Sequence, residues 1–185
     1  MKHIKLLFLT LIITFYSVKS FPNNTFINQL QEGGKIIIIR HAYAPGSGDP
    51  DKFLIKDCST QRNLNNKGIR QAKLIGNFFM KNKIPIDQVL SSEWCRCKDT
   101  AFYAFKKFKT ISSLNSFYDI QFQKNKDNQI NELKNLIKNW KSQKNIILIT
   151  HFVVINELLN TRAVSGEIII SDKKFNILGR MKNSL

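Results

Sequence analysis

Residues 35–41 read KIIIIRH: four consecutive isoleucines that end in an arginine and a histidine. Isoleucine is branched at Cβ, stiff in χ1 and suited to a pleated strand. A strand with one wet face would alternate apolar and polar residues, so an unbroken apolar run implies a strand covered on both sides. QVLSS (88–92), NIILITH (145–151) and GEIIIS (166–171) repeat the pattern, and FNILGRM (175–181) reads as an edge strand. Between them lie helical periodicities. Ile69, Ala72, Ile75 and Phe79 form one apolar face behind Asn65, a suitable N-cap; Ala101, Phe105 and Phe108 form a second; Ile130, Leu133, Ile137 and Trp140 form a third. Alternation of strand and helix predicts an α/β fold, a three-layer αβα sandwich with a largely parallel central sheet. Ligands of such sheets bind outside the carboxyl ends of the strands, so the ends of KIIIIRH, QVLSS and NIILITH should converge on one site. The longest irregular stretch, residues 42–64, directly follows Arg40-His41, and long loops in compact domains tend to be functional.

A chain of 185 residues with 43% hydrophobic content suits one globular domain with a substantial core. Lys2 and Lys5 precede an uncharged apolar run from Leu6 to Tyr16, and Val18 and Ser20 occupy the minus-three and minus-one positions of a cleavage site. That layout predicts a secretory signal peptide over residues 1–20 and a mature domain over 21–185. The run is about half the length needed to cross a bilayer, and no later segment is longer. The expectation is therefore an exported, periplasmic protein with no stable membrane insertion after cleavage. Loss of Lys2, Lys5 and Lys19 lowers the formal charge from +16 to +13. A basic surface attracts polyanions. Here the lysines are scattered and no patch interleaves basic and aromatic residues, so no nucleic-acid partner is expected.

Of the 29 basic residues only Arg40, Arg62, Arg70, Arg96, Arg162 and Arg180 are arginine. Where lysine serves for most charges, arginine marks positions that need a planar, bidentate fork. Cys58, Cys95 and Cys97 are too few for a tetrahedral metal site. In an oxidising compartment Cys58 could pair with Cys95 or with Cys97, and three buried thiols are the alternative.

The mature chain holds two histidines, His41 and His151, each at the last position of a predicted strand. Arg96 follows QVLSS by four residues, where a helix should begin and offer free backbone N–H groups. Two arginines, two histidines and a helix start describe a phosphoryl pocket, because guanidinium forks match phosphate oxygens. No Gly-rich Walker pattern and no acidic Mg²⁺ cluster occur, so the expectation is chemistry without metal or other cofactor. Neutral imidazole can then attack phosphorus itself.

IIIIRHA, QRNLNNKGIRQA, SSEWCRCKDTA and ILITH, in that order over residues 35–171, resemble the four motifs of the histidine phosphatase (phosphoglycerate mutase-like) superfamily. The resemblance implies a phosphohistidine on His41, with Arg40, Arg96 and His151 on the phosphoryl oxygens, Arg62 as a further contact and Thr100 in support. It also implies a carboxylic acid that protonates the leaving oxygen; Asp119 lies in the expected region and Glu93 is a rival. Two positions depart from the pattern: Ala42 replaces the motif glycine, and THFVVINELL is apolar where relatives carry polar residues; Phe152 and Val154 either narrow the substrate range or pack the helix, and packing is the expectation. The resemblance implies a histidine acid-type phosphatase acting on small-molecule or glycan-linked phosphomonoesters. A short chain with little room for a lid favours hydrolysis over mutase chemistry. The alternatives are a phosphohistidine protein phosphatase and a non-catalytic module that binds a phosphorylated ligand.

Overall fold

The computed structural model describes residues 23–182. The elements, in chain order, are α1 (Asn23–Glu32), β1 (Ile36–Arg40), α2 (Asn66–Lys81), β2 (Ile86–Ser91), α3 (Cys95–Phe105), β3 (Lys109–Thr110), α4 (Ile120–Gln123), α5 (Lys126–Asn139), β4 (Asn145–Thr150), α6 (Phe152–Leu159), β5 (Ile168–Ser171) and β6 (Ile177–Met181). Short 3₁₀ turns span Cys58–Thr60 and Ser112–Leu114. The predicted signal peptide lies outside the described residues. No described helix is long and apolar enough to cross a membrane.

One six-stranded sheet has the order β3-β2-β4-β1-β5-β6. β1, β2, β3 and β4 run parallel, while β5 is antiparallel to both β1 and β6. β5 alone therefore points the other way, which the apolar run GEIIIS could not reveal. The isoleucines of β1 divide between two cores as a period of two requires. Ile37 and Ile39 pack with Phe26 and Leu30 of α1, Ile75 and Phe79 of α2 and Ala101 of α3. Ile36 and Ile38 pack with Leu133 and Ile137 of α5 and Ile155 of α6. Both faces are covered, as the unbroken apolar runs predict.

Helix boundaries follow local chemistry. Asn65 caps α2 through its side-chain oxygen, which accepts from the Gly68 N–H at 3.0 Å. Gly68 has a second role: a Cβ there would run into the Tyr43 carbonyl, so only glycine lets the start of α2 touch the loop behind β1. α3 ends at Phe105, and Phe108 lies beyond it on the approach to β3; Lys106, with φ of 66°, stops the helix first. Sequence periodicity also passes over α1, whose Phe26 and Leu30 are too few apolar residues to mark a face.

Candidate active site

The parallel strands end together, and their pairing continues one residue further. The His41 N–H donates to the Thr150 carbonyl at 2.9 Å and the Ser92 N–H to the Ile149 carbonyl at 3.0 Å. His41, Ser92 and His151 are thereby set side by side at the carboxyl edge of β1, β2 and β4. The two imidazole centroids are 5.5 Å apart. Arg40, Arg62, Arg96, Asp119 and Phe152 line the same cavity, of about 260 Å³. Five arginine-and-histidine candidates and one carboxylate singled out in the sequence thus meet. Of the remaining arginines, Arg180 pairs with buried Glu167, while Arg70 and Arg162 are exposed.

His41 is 2% exposed, and its Nδ1 lies 2.8 Å from the Ala42 carbonyl. A carbonyl oxygen only accepts, so Nδ1 carries the proton and Nε2 keeps its lone pair. Burial, followed by the nearby Arg96 guanidinium, holds the His41 pKa well below the usual histidine range. His151 is lowered for the same two leading reasons. Both rings are neutral near pH 7. Arg96 Nη2 approaches His151 Nδ1 at 3.5 Å, and because guanidinium only donates, the His151 proton sits on Nε2 and points to Ser92 Oγ at 2.9 Å. Asn115 Oδ1 in turn accepts from Ser92 Oγ at 3.1 Å.

The guanidinium groups are held from behind. Arg40 Nη1 donates to the Ala163 carbonyl at 2.8 Å; Arg62 donates from Nε to Gly48 and from Nη1 to Ala44. Desolvation, then Arg96, lowers the pKa of Arg40 and of Arg62, yet arginine remains charged in proteins. Arg40 Nε and Arg96 Nε are buried with no hydrogen-bond partner among the described residues. Buried donors without acceptors cost free energy, and a tetrahedral oxyanion in the cavity would supply them. Among the described residues no group of three or more His, Cys, Asp or Glu side chains is placed to hold a metal ion.

Asp49 is the residue sequence reasoning missed. It lies in loop 42–64, its side chain is 7% exposed, and it lines the cavity. Its Oδ1 accepts from Arg96 Nη1 at 2.7 Å and from the Arg62 N–H at 3.0 Å, while Oδ2 accepts from Trp94 Nε1 at 3.1 Å. Among the described residues Asp49 is the carboxylate that pairs directly with a guanidinium group of this cavity, that of Arg96. The available signal was the arginine count itself: three forks in one pocket need a counter-charge, and Asp49 and Asp51 are the acids nearest the strand end in the loop.

Two expectations change in detail. The start of α3 is not an open anion site, because the Cys95 N–H donates to Gln61 Oε1 at 3.0 Å and the Cys97 and Lys98 N–H groups to the Trp94 carbonyl. α3 contributes the Arg96 side chain instead. Val154 is fully buried helix packing as expected, but Phe152 is 38% exposed and lines the cavity. Ala42 has no positive φ, so the missing glycine is not needed for the backbone there. The Ala42 N–H donates to Thr100 Oγ1 at 2.9 Å, and that hydroxyl donates to the Arg96 carbonyl at 2.7 Å. Thr100 thus ties the segment just after β1 to the helix that carries Arg96. Cys58 is bonded to Cys95, fastening loop 42–64 to α3, and Cys97 is free and buried. Asp119 caps α4 by accepting from the Gln121 N–H and faces the cavity, whereas Glu93 is not among the cavity's lining residues and accepts from Asn115.

Fold and pocket together define an α/β protein built around a positively charged cavity with two imidazoles at the sheet edge. The model of the histidine phosphatase superfamily (branch 1) matches residues 36–145, more than half of the chain, and the protein belongs to that family. Among solved structures, the protein histidine phosphatase SixA complexed with tungstate is 17% identical, with 80% of this chain and 97% of that one covered and a TM-score of 0.57. A phosphoglycerate mutase from Thermus thermophilus is 15% identical over 80% and 98%, TM-score 0.57. A phosphoserine phosphatase from Entamoeba histolytica, in complex with phosphoserine, is 18% identical over 74% and 89%, TM-score 0.52. At these identities the likeness is one of fold. No curated protein sequence matches.

Proposed function

We propose that the protein is an exported phosphatase that hydrolyses phosphomonoesters through a phosphohistidine on His41. The observation that carries this reading is the His41 proton held on Nδ1 by the Ala42 carbonyl, which leaves Nε2 as a free nucleophile among three guanidinium groups. Arg40, Arg62 and Arg96 hold the phosphoryl oxygens, and His151 joins them when the bound anion draws its proton to Nδ1 and Ser92 Oγ donates to Nε2 in its place. Nε2 attacks phosphorus, the bond to the ester oxygen breaks, and Asp119 gives its proton to that oxygen as the alcohol leaves. Water then attacks phosphorus and passes a proton to the Asp119 carboxylate. The P–N bond breaks, its electron pair returns to Nε2, and inorganic phosphate departs. The guanidinium groups stabilise charge on the equatorial oxygens throughout. Asp119 is preferred to Glu93 because it alone of the two faces the cavity.

Export is supported by the sequence of residues 1–20 and by the Cys58–Cys95 bond, a linkage that persists in oxidising compartments. A phosphohistidine protein phosphatase is the second reading, favoured by the fold likeness to SixA. Such a leaving group needs less proton assistance, so Asp119→Asn separates the two: it should depress phosphomonoester turnover and spare phosphoramidate turnover. The primary test is phosphate release by residues 21–185 in the presence of chelator, beside His41→Ala. Turnover with an acid-labile, base-stable phosphoenzyme is expected from the natural sequence. Turnover that survives His41→Ala refutes the mechanism.

A further inference from the structure

Beyond the groups that would hold the phosphoryl, the cavity has an aromatic rim that the chemistry leaves unused. Tyr118 and Phe152 line the cavity, are 52% and 38% exposed, and meet with ring centroids 5.5 Å apart at an interplanar angle of 61°. Large exposed rings in an edge-to-face pair are costly to leave in water, and each presents apolar surface at the mouth of an otherwise charged pocket. The Arg40 guanidinium carbon lies 5.4 Å from the Phe152 centroid, which adds a cationic face to the same platform.

Position on the reaction axis decides what this rim can touch. The phosphoryl group belongs with His41 and the arginines, and the leaving group must lie on the side away from His41 Nε2. Tyr118 immediately precedes Asp119, the proposed donor to the leaving oxygen, so whatever that oxygen carries emerges beside Tyr118. Space continues in that direction. Arg40 and Phe152 also line a neighbouring groove whose other walls include Phe117, Val153 and Arg162. Arg162 is exposed, and Lys126 at the far side is paired with Glu157 at 2.9 Å.

We infer that Tyr118 and Phe152 form a leaving-group subsite for a planar aromatic ring carried on, or one carbon from, the atom bonded to phosphorus. The inference rests on the proposed phosphatase reading for its orientation and names the substrate class of that site. A planar ring gains stacking on Phe152 and Tyr118 and cation–π contact with Arg40, neither of which is open to a saturated ring of equal size. Aromatic pairing adds to what area burial alone supplies, so a preference of about fivefold to tenfold for the planar ring is expected. A ring of this kind occurs both in small aryl phosphates and in aromatic side chains of proteins.

Two phosphonates that cannot be hydrolysed supply the test: benzylphosphonate and cyclohexylmethylphosphonate, similar in size and charge but different in planarity. Calorimetric titration of residues 21–185 should show benzylphosphonate bound about fivefold to tenfold more tightly. That ratio should fall towards one in both Tyr118→Leu and Phe152→Leu, and because it is a ratio it is insensitive to general damage. Equal affinities in the natural sequence, no binding of either compound, or a ratio unchanged in both variants would overturn the subsite. The corresponding benzyl phosphate ester tests the catalytic reading separately: preferential binding of benzylphosphonate without turnover of the ester sinks the phosphatase and keeps the subsite. Free phosphotyrosine against phosphotyrosine within a pentapeptide then distinguishes a small-molecule source of the ring from a protein one.

Discussion

Asp49→Asn should make the protein less stable and yet bind phosphate more tightly. In the native pocket the Asp49 carboxylate sits 2.7 Å from Arg96 Nη1 and cancels one of three guanidinium charges. A phosphoryl group bound on the other side of Arg96 would lie about 6 Å from that carboxylate. At an effective dielectric constant of about 20 to 40, the repulsion between them is about 1.4 to 2.8 kcal/mol per unit of phosphate charge. Asparagine keeps an oxygen for Arg96 and removes the charge; the Trp94 Nε1–H bond to Oδ2 is lost at a cost of about 1 kcal/mol. Phosphate affinity should therefore rise about tenfold or more. The empty protein loses a buried ion pair, about 3 kcal/mol, which is about 6 to 12 °C in Tm for a chain of this size. The assay is thermal unfolding with and without inorganic phosphate, together with the inhibition constant of phosphate against turnover. A smaller phosphate-induced rise in Tm and a weaker inhibition constant in Asp49→Asn would refute the charge-balance argument and leave Asp49 as a device that only orients Arg96.

Acid should destabilise the fold through its two buried imidazoles. The folded pKa values of His41 and His151 lie well below 6.5, so the unfolded chain takes up more protons as pH falls below about 6.5, and stability declines from there towards the folded values. The slope should approach about 2.7 kcal/mol per pH unit for the pair, and Tm against pH should flatten in His151→Asn. Because burial and Arg96 lower the His41 pKa, its nucleophilicity should persist further into the acid range than that of a free imidazole, which burst experiments between pH 7 and pH 5 check. Cys58→Ser should lower stability by about 3 to 4 kcal/mol, the loop-closure value for a separation of 37 residues, read as a Tm difference that reductant abolishes. Thr100→Val removes the acceptor for the Ala42 N–H and the donor to the Arg96 carbonyl; a loss of about 2 kcal/mol and a fall in kcat larger than the rise in KM are expected.

What could be read in the sequence and what could not have different physical origins. The isoleucine runs declare strands buried on both faces because no other environment tolerates them, and Arg40, His41 and His151 follow as strand-end residues at the ligand edge of such a sheet. Arg96 and Arg62 stand out because arginine is scarce among so many lysines. Asp49 does not stand out, since its role depends on loop 42–64 folding back onto α3, and loop conformation leaves no periodic trace. The direction of β5 is invisible for a similar reason: a short buried strand has the same composition whichever way it runs. Phe152 looks like helix packing by its neighbours, Val153 and Val154, and only the start of α6 at the cavity edge brings it to the rim.

Cys97 has a consequence for the order in which bonds form. It lies two residues from Cys95, about 200° around the helix, so the same α3 that offers one sulfur to Cys58 turns the other inward against Ser92 and His151. Burial pushes the Cys97 thiol up to about 12, and at neutral pH almost none of it is thiolate. Exchange requires a thiolate attacker, so once α3 has packed, the remaining thiol cannot compete for Cys58. The pairing that ties the pocket wall in place is therefore protected from scrambling by the same burial that keeps the imidazoles neutral.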